Sequence, residues 1–342
     1  MAKNKVVTFG ETMLKFSPYN FQRFMQATSM NVEYAGAEAN VAVSLANYGM
    51  NVAFVSKLPD NDFGDAALNI LRHYGVDTSK AVRGGERIGI YFVEKGASQR
   101  PSKVIYDRKG SAFATAQPTD FNWDVIFEGS TWFHFTGITP ALSDSLTLIC
   151  LDACKVAKAK GLIVSCDLNY RKKLWSSERA CEVMSELCKY VDVCIANEED
   201  AADVFGITAE NSDARSGVLD KTSYASVARL LKEQFGFQKV AITLRESISA
   251  SDNNWSAILY DGERVYNSRN YSIHIVDRIG GGDSFGAGLI YGLNHYDSCQ
   301  DALEFAVATS CLKQTIEGDF NMVKVTEVES LMNGNGSGRI SR

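Results

Sequence analysis

Near the C-terminal end of the chain, "DRIGGGDSFGAG" places Gly280, Gly281 and Gly282 directly before the carboxylate of Asp283. Glycines let the main chain come close to a ligand and turn its amide N–H groups outward. The small and apolar residues behind them, "SFGAGLIYGL", predict a helix beginning near Asp283. A helix N-terminus adds unpaired donors and partial positive charge, which suits an anion such as phosphate. Two readings of the acid share this geometry. In one, Asp283 caps the helix and the glycines are a loop. In the other, the amides cradle a transferring phosphoryl group and Asp283 accepts the proton of an attacking hydroxyl. The glycine triplet costs backbone entropy that capping does not require, which favours the second. The chain has no Gly-Lys dipeptide and so no Walker loop, and no GxGxxG follows a strand.

Such a loop needs a framework to hold it. Runs such as "VVTF", "VAFV", "WFHF", "LIVSC", "VCIA" and "VAITL" alternate with amphipathic stretches such as "SDSLTLICLDACKVAKAK" and "YASVARLLKEQF". This rhythm predicts an α/β fold with a mostly parallel sheet covered by helices on both faces. "AILY" and "RVYN", with "DGE" between them, predict a hairpin at an antiparallel edge. Two segments break the alternation, about 12–34 and about 86–118. They carry strand-like pieces such as "GIYFVE" and "KVIY" without a convincing helix, and predict a small β flap over the site. Residues 333–342, "NGNGSGRISR", have almost nothing to bury and are expected to be disordered.

Composition bounds the rest. With 342 residues, 45% of them hydrophobic, the chain can bury a large core as two average domains or one large α/β unit. The net charge of -6, without a block of five like charges, argues against nucleic acid. Eight cysteines without a CxxC pair or zinc spacing read as small core residues. No secretory or membrane-spanning run is found, and a reducing cytoplasm is the expected setting.

"GGGDSFGAG" together with "YAGAEANVAVSLANYG", residues 34–49, resembles the signature pair of the ribokinase (PfkB) carbohydrate kinase family. The resemblance covers nearly the whole chain, since "VSKLPDNDFGD", "NEED" and "TIEGDF" also fall where that family places its loops. Within it, "YDRKGSA", "GITPAL" and "DLNYRKKLW" look most like the 2-dehydro-3-deoxygluconate kinases. The resemblance implies a ribokinase-like three-layer αβα domain over residues 1–332, with a small β-sheet lid. It also implies ATP, Mg2+ and transfer of the γ-phosphate to the C6 hydroxyl of a sugar acid, and it leaves a monovalent cation open. A homo-oligomer is expected by the same analogy.

Residue by residue, the resemblance makes Asp283 the base and Gly280, Gly281 and Gly282 the anion hole, with Gly280 and Gly282 also facing the nucleotide. Gly36, Asn40, Tyr91, Tyr106, Ile138 and Asp319 match substrate-lining positions. Arg108 and Arg171 match positions that hold the substrate, and a guanidinium fork suits a carboxylate. Asn197 and Asp200 match the magnesium-associated pair, with Asp in place of Glu, so that a water is expected between acid and metal. Thr243 and Arg245 match nucleotide positions.

The sequence departs from the pattern in three places. Arg278 stands where Thr, Ser or Pro is usual, "TLRESISAS" lacks the glycines of a phosphate-facing loop, and Ala35 replaces the first glycine of a common pair. A neutral-sugar kinase resembling fructokinases or ribokinases is the nearest alternative. A non-catalytic sugar-binding regulator is the other, since folds host many functions.

Overall fold

Residues whose two faces are both covered by helices read as unbroken apolar runs, and such runs form the centre of the molecule. The computed structural model describes residues 4–209, 221–336 and 338. Its large sheet has nine strands. The parallel part runs, in spatial order, Asn51–Val55, Lys5–Phe9, Trp132–Thr136, Ile163–Asp167, Val193–Ala196 and Lys239–Ser247. Asp252–Tyr260 then adds antiparallel, pairing with Val265–Asn267 on one stretch and Tyr271–His274 on another. The expected edge hairpin is present, with Tyr260 opposite Val265.

Alternation along each strand sends side chains to two cores. Val7, Phe9, Phe133 and Phe135 face one; Val6, Phe54 and Trp132 face the other. On the first face lies the helix Asp144–Ala159. The Ser143 side chain caps it by accepting from the Leu146 amide, and Leu146, Ile149, Cys150, Ala153 and Ala157 form its buried stripe. The helices Ala37–Asn47, Gly281–His295 and Cys299–Lys313 cover the second face. All eight cysteines are free, and only Cys181 and Cys299 fall short of full burial.

Both irregular segments build one four-stranded sheet, in the order Met30–Ala35, Met13–Pro18, Ile90–Glu94, Lys103–Asp107. This is the expected flap. Residues 337 and 339–342 lie outside the described residues, and with them half of the stretch expected to be disordered. No helix among the described residues is long and apolar enough to cross a membrane.

Candidate active site

In a parallel sheet the carboxyl ends of the strands all point to one edge, and ligand crevices form there. Here that edge carries Glu11 just after Phe9, Asp167 at the end of its strand, and Asn197 just after Ala196. Together with the lid they enclose a cavity of about 430 Å3. Every site residue singled out in the sequence lines it, from Gly36, Asn40 and Ile138 to Thr243, Arg245 and Asp319.

The helix behind the glycines starts two residues earlier than the sequence predicts, at Gly281. Gly280 is its N-cap, with φ +79, and a Cβ there would meet the Asp319 carbonyl oxygen at 2.2 Å. Glycine is therefore required at 280 by both conformation and close approach. Asp283 sits in the first turn and is not the cap. The amides of Gly280, Gly282 and Asp283 have no partner among the described residues, whereas that of Gly281 donates to the Arg278 carbonyl at 3.2 Å. A Cβ on Gly282 would meet nothing within 4 Å, so this residue faces open space.

Asn40 Nδ2 donates to Asp283 Oδ2 at 2.6 Å. Burial raises the Asp283 carboxyl to about 6; the Asn40 bond opposes this and the nearby Asp319 charge adds to it. A carboxylate with that value is ionised at neutral pH and remains basic enough to take a proton.

At the lid end the cations are already paired. Arg108 donates from Nε and Nη2 to Glu11 Oε2 at 2.8 and 2.5 Å, and Ser111 Oγ donates to Glu11 Oε1 at 2.5 Å. The Arg108 guanidinium lies 5.4 Å from the Tyr106 ring centroid, and Tyr106 stacks on Tyr91 at 5.9 Å. Tyr91 Oη donates to Asp319 Oδ2 at 2.5 Å, and the buried Lys15 donates to Asp319 Oδ1 at 2.5 Å while pairing with Glu33 at 2.8 Å. A Cβ on Gly36 would lie 1.9 Å from the Glu11 carbonyl oxygen, so this backbone approach also requires glycine. Glu38, raised to about 7 by burial, accepts from the Thr136 amide and from the hydroxyls of Thr136 and Thr139.

At the opposite end, Arg171 reaches only the Tyr170 carbonyl, at 2.9 Å, and has no carboxylate partner among the described residues. Arg245 pairs with Glu198 at 3.1 Å. Thr243 Oγ1 donates to the Ala196 carbonyl at 3.4 Å. The glycine-free segment 243–251 is a hairpin, Lys239–Ser247 returning as Asp252–Tyr260. Arg278 braces its tip by donating to the carbonyls of Ser249 and Ala250 at 3.4 and 3.2 Å. Across the cavity mouth the tip meets the lid, Ala250 N donating to the Ser98 carbonyl at 2.7 Å and Ser98 N to Ser251 Oγ at 2.9 Å. Two departures from the family pattern, Arg278 and the missing glycines, thus occur in one local structure.

Asn197 and Asp200 form a reciprocal cap. Asn197 Oδ1 accepts from the amides of Glu199 and Asp200, while Asp200 accepts from those of Asn197 and Tyr170. Burial raises both Asp167 and Asp200, and Asp167 is raised further by Asp200 and Asp283. Acids desolvated together fit a hard divalent cation. Among the described residues no three His, Cys, Asp or Glu side chains converge as a metal cage.

The sequence reading assigned no role to Glu11, Glu38, Asp167, Lys15 or Lys313. Glu11 and Asp167 carry a usable signal, an acid at the carboxyl end of an apolar strand. Lys15 and Lys313 carry none, because each is one charge within an otherwise ordinary strand or helix.

A mostly parallel sheet covered on both faces, a separate four-stranded lid and a cavity at the strand ends define a ribokinase-like enzyme. The chain belongs to the pfkB family of carbohydrate kinases, whose model, "pfkB family carbohydrate kinase", matches residues 3–324. It is 52% identical to a crystallised 2-dehydro-3-deoxygluconokinase from Thermotoga maritima, with TM-score 0.93, covering 97% of this chain and 99% of that one. It is 34% identical to a 2-dehydro-3-deoxygalactonokinase from Haloferax volcanii, covering 98% of each. A 2-dehydro-3-deoxygluconokinase from Bacillus subtilis is 27% identical, covering 95% of this chain and 94% of the relative.

Proposed function

We propose that this kinase transfers the γ-phosphate of ATP to the C6 hydroxyl of 2-dehydro-3-deoxy-D-gluconate. The observation that carries the reading is Asp283, raised to about 6 and held by Asn40, beside the unpartnered amides of Gly280 and Gly282. The lid closes over the sugar acid. Arg171, and the Arg108 Nη1 left over from the Glu11 pair, hold its carboxylate. Tyr91, Tyr106, Ile138, Gly36, Asn40 and Asp319 line its carbon chain. Asp283 takes the C6 proton as the phosphoryl group passes over the glycines, in a space emptied of bulk water. Thr243, Arg245 and Arg278 face the nucleotide. Magnesium, held through water by Asn197 and Asp200, would neutralise phosphate charge.

A second reading, the C4 epimer of the substrate, is favoured by the name of the Haloferax relative. ADP release measured with both deoxy-keto sugar acids, fructose and ribose separates the possibilities. The gluconate-derived acid is expected to be the best substrate and the neutral sugars poor. A neutral sugar turned over best would overturn the reading, and binding of the acid without turnover would favour the regulator.

The working unit is residues 1–332 in a homo-oligomer within a reducing cytoplasm. Eight free cysteines support the setting. The assembly is supported by the outer face of the lid, where Val32, Phe16, Phe92 and Ile105 lie in register across the four strands, with Val32 and Ile105 more than half exposed.

A further inference from the structure

The reaction described above does not use every buried charge. Lys313, the last residue of the helix Cys299–Lys313, is fully buried, yet its ammonium has no carboxylate ion-pair partner among the described residues. Its Nζ donates instead to the main-chain carbonyls of Asp277, at 3.2 Å, and Ile279. These two carbonyls belong to the turn that ends at Gly280. The same helix end grips that turn elsewhere. Ser310 Oγ donates to the Gly281 carbonyl at 2.7 Å, and the Gln314 carbonyl accepts from the amides of Val276 and Asp277 at 2.9 and 3.2 Å. The Asp277 carboxylate is committed to Lys95, at 3.3 Å, and to the amides of Ile279 and Gly318.

Burying an ammonium without a counter-charge is costly, and burial does lower the Lys313 pKa, with Asp277, Asp319 and Asp283 opposing the fall. A neutral side chain would pack in this place at lower cost. What a cation supplies here is the gathering of carbonyl dipoles that would otherwise repel, in the turn that leads into the unpartnered amides of Gly280 and Gly282. That is the work of a bound monovalent ion.

We propose that Lys313 is a tethered monovalent cation, a positioning residue that fixes the turn 277–280 and removes any need for potassium. The inference rests on the anion-hole reading of the glycines and bears on the monovalent cation that the family resemblance leaves open: the carbonyls gathered at this turn already hold an ammonium. With Lys313 truncated, the site becomes a pocket of carbonyl oxygens able to take potassium or ammonium.

The test has two arms. Wild-type phosphorylation of the sugar acid is measured with potassium, sodium or choline as the sole monovalent cation. Equal turnover in all three is expected, and activation by potassium of several-fold or more would overturn the proposal. In the second arm, Lys313→Met should lose about 10²-fold in kcat with little change in KM, the scale of a displaced oxyanion donor. Potassium or ammonium, and not choline, should restore much of that loss and raise the Tm of the variant while leaving that of the wild type unchanged. A folded Lys313→Met that stays fully active, or whose activity and Tm ignore every cation, would overturn the proposal. Should the variant not fold, the wild-type arm still decides. Should no sugar be phosphorylated by the wild type, the functional reading fails, whereas the Tm response still judges the cation site.

Discussion

At the lid end of the cavity the basic side chains have carboxylate partners before any substrate arrives: Arg108 with Glu11, Lys15 with Asp319 and Glu33. At the glycine end, the Gly280, Gly282 and Asp283 amides stand unpartnered among the described residues, and Arg171 and Arg278 touch only carbonyl oxygens. At the lid end these cations already have their counter-charges, which suits shape and orientation. The glycine end keeps amide donors that have no acceptor among the described residues, which suits an incoming anionic group. Preorganised donors of this kind favour charge that develops during reaction, because nothing must reorganise when it appears. A paired arginine instead presents its remaining N–H groups in a fixed direction, which favours selection over affinity.

The contrast can be broken from either end. Gly282→Ala has no protein atom to clash with, since a Cβ there meets nothing within 4 Å. It should keep the wild-type Tm and lose about 10²- to 10³-fold in kcat/KM, because the methyl group occupies the place of a phosphate oxygen. Normal kinetics in this variant would show that the open space is not used. Arg108→Met should raise KM for the sugar acid about 10- to 100-fold, the worth of a charge-assisted hydrogen bond, and leave neutral sugars unaffected. It should also lower the Tm, because Glu11, 2% exposed, would be left buried without its partner. A smaller effect concerns pH. The base must be ionised, so kcat/KM should fall as pH drops through about 6, where burial has placed Asp283. Asn40→Ala removes the bond that holds this value down and should move the acid limb to higher pH. An unchanged limb would dissociate Asp283 from the profile.

How much of this the sequence discloses depends on whether a feature is local. Strands buried on both faces read as apolar runs, so "WFHF" and "VCIA" are visible as strands of the sheet. The glycine triplet advertises itself by composition. The lid is visible as two segments without helical periodicity, although its pairing, Leu14 beside Ile90, is not. Ion pairs joining distant parts of the chain leave no trace at all. Glu11 and Arg108 lie 97 positions apart, and Lys15 and Asp319 lie 304 apart. Nothing in the composition of either neighbourhood requires the other. Helix starts are legible only to within a turn: the composition points to a start near Asp283, whereas Gly280 takes the capping position because glycine can hold φ +79 against the Asp319 carbonyl.

The central claim is that Asp283 is the base, and single-turnover kinetics of Asp283→Asn address it most directly. The substitution keeps the shape, so sugar and ATP should bind as before while phosphoryl transfer slows about 10²- to 10⁴-fold, or about 3 to 5 kcal/mol of barrier. Stability supplies a second sign. Asp283 has a folded-state pKa above its unfolded value, so its contribution is fully present below about 4 and is lost as pH rises through about 6. The neutral amide escapes that loss, and Asp283→Asn should be at least as stable as wild type at pH 7.5. A folded variant that transfers phosphate at the wild-type rate would contradict the account.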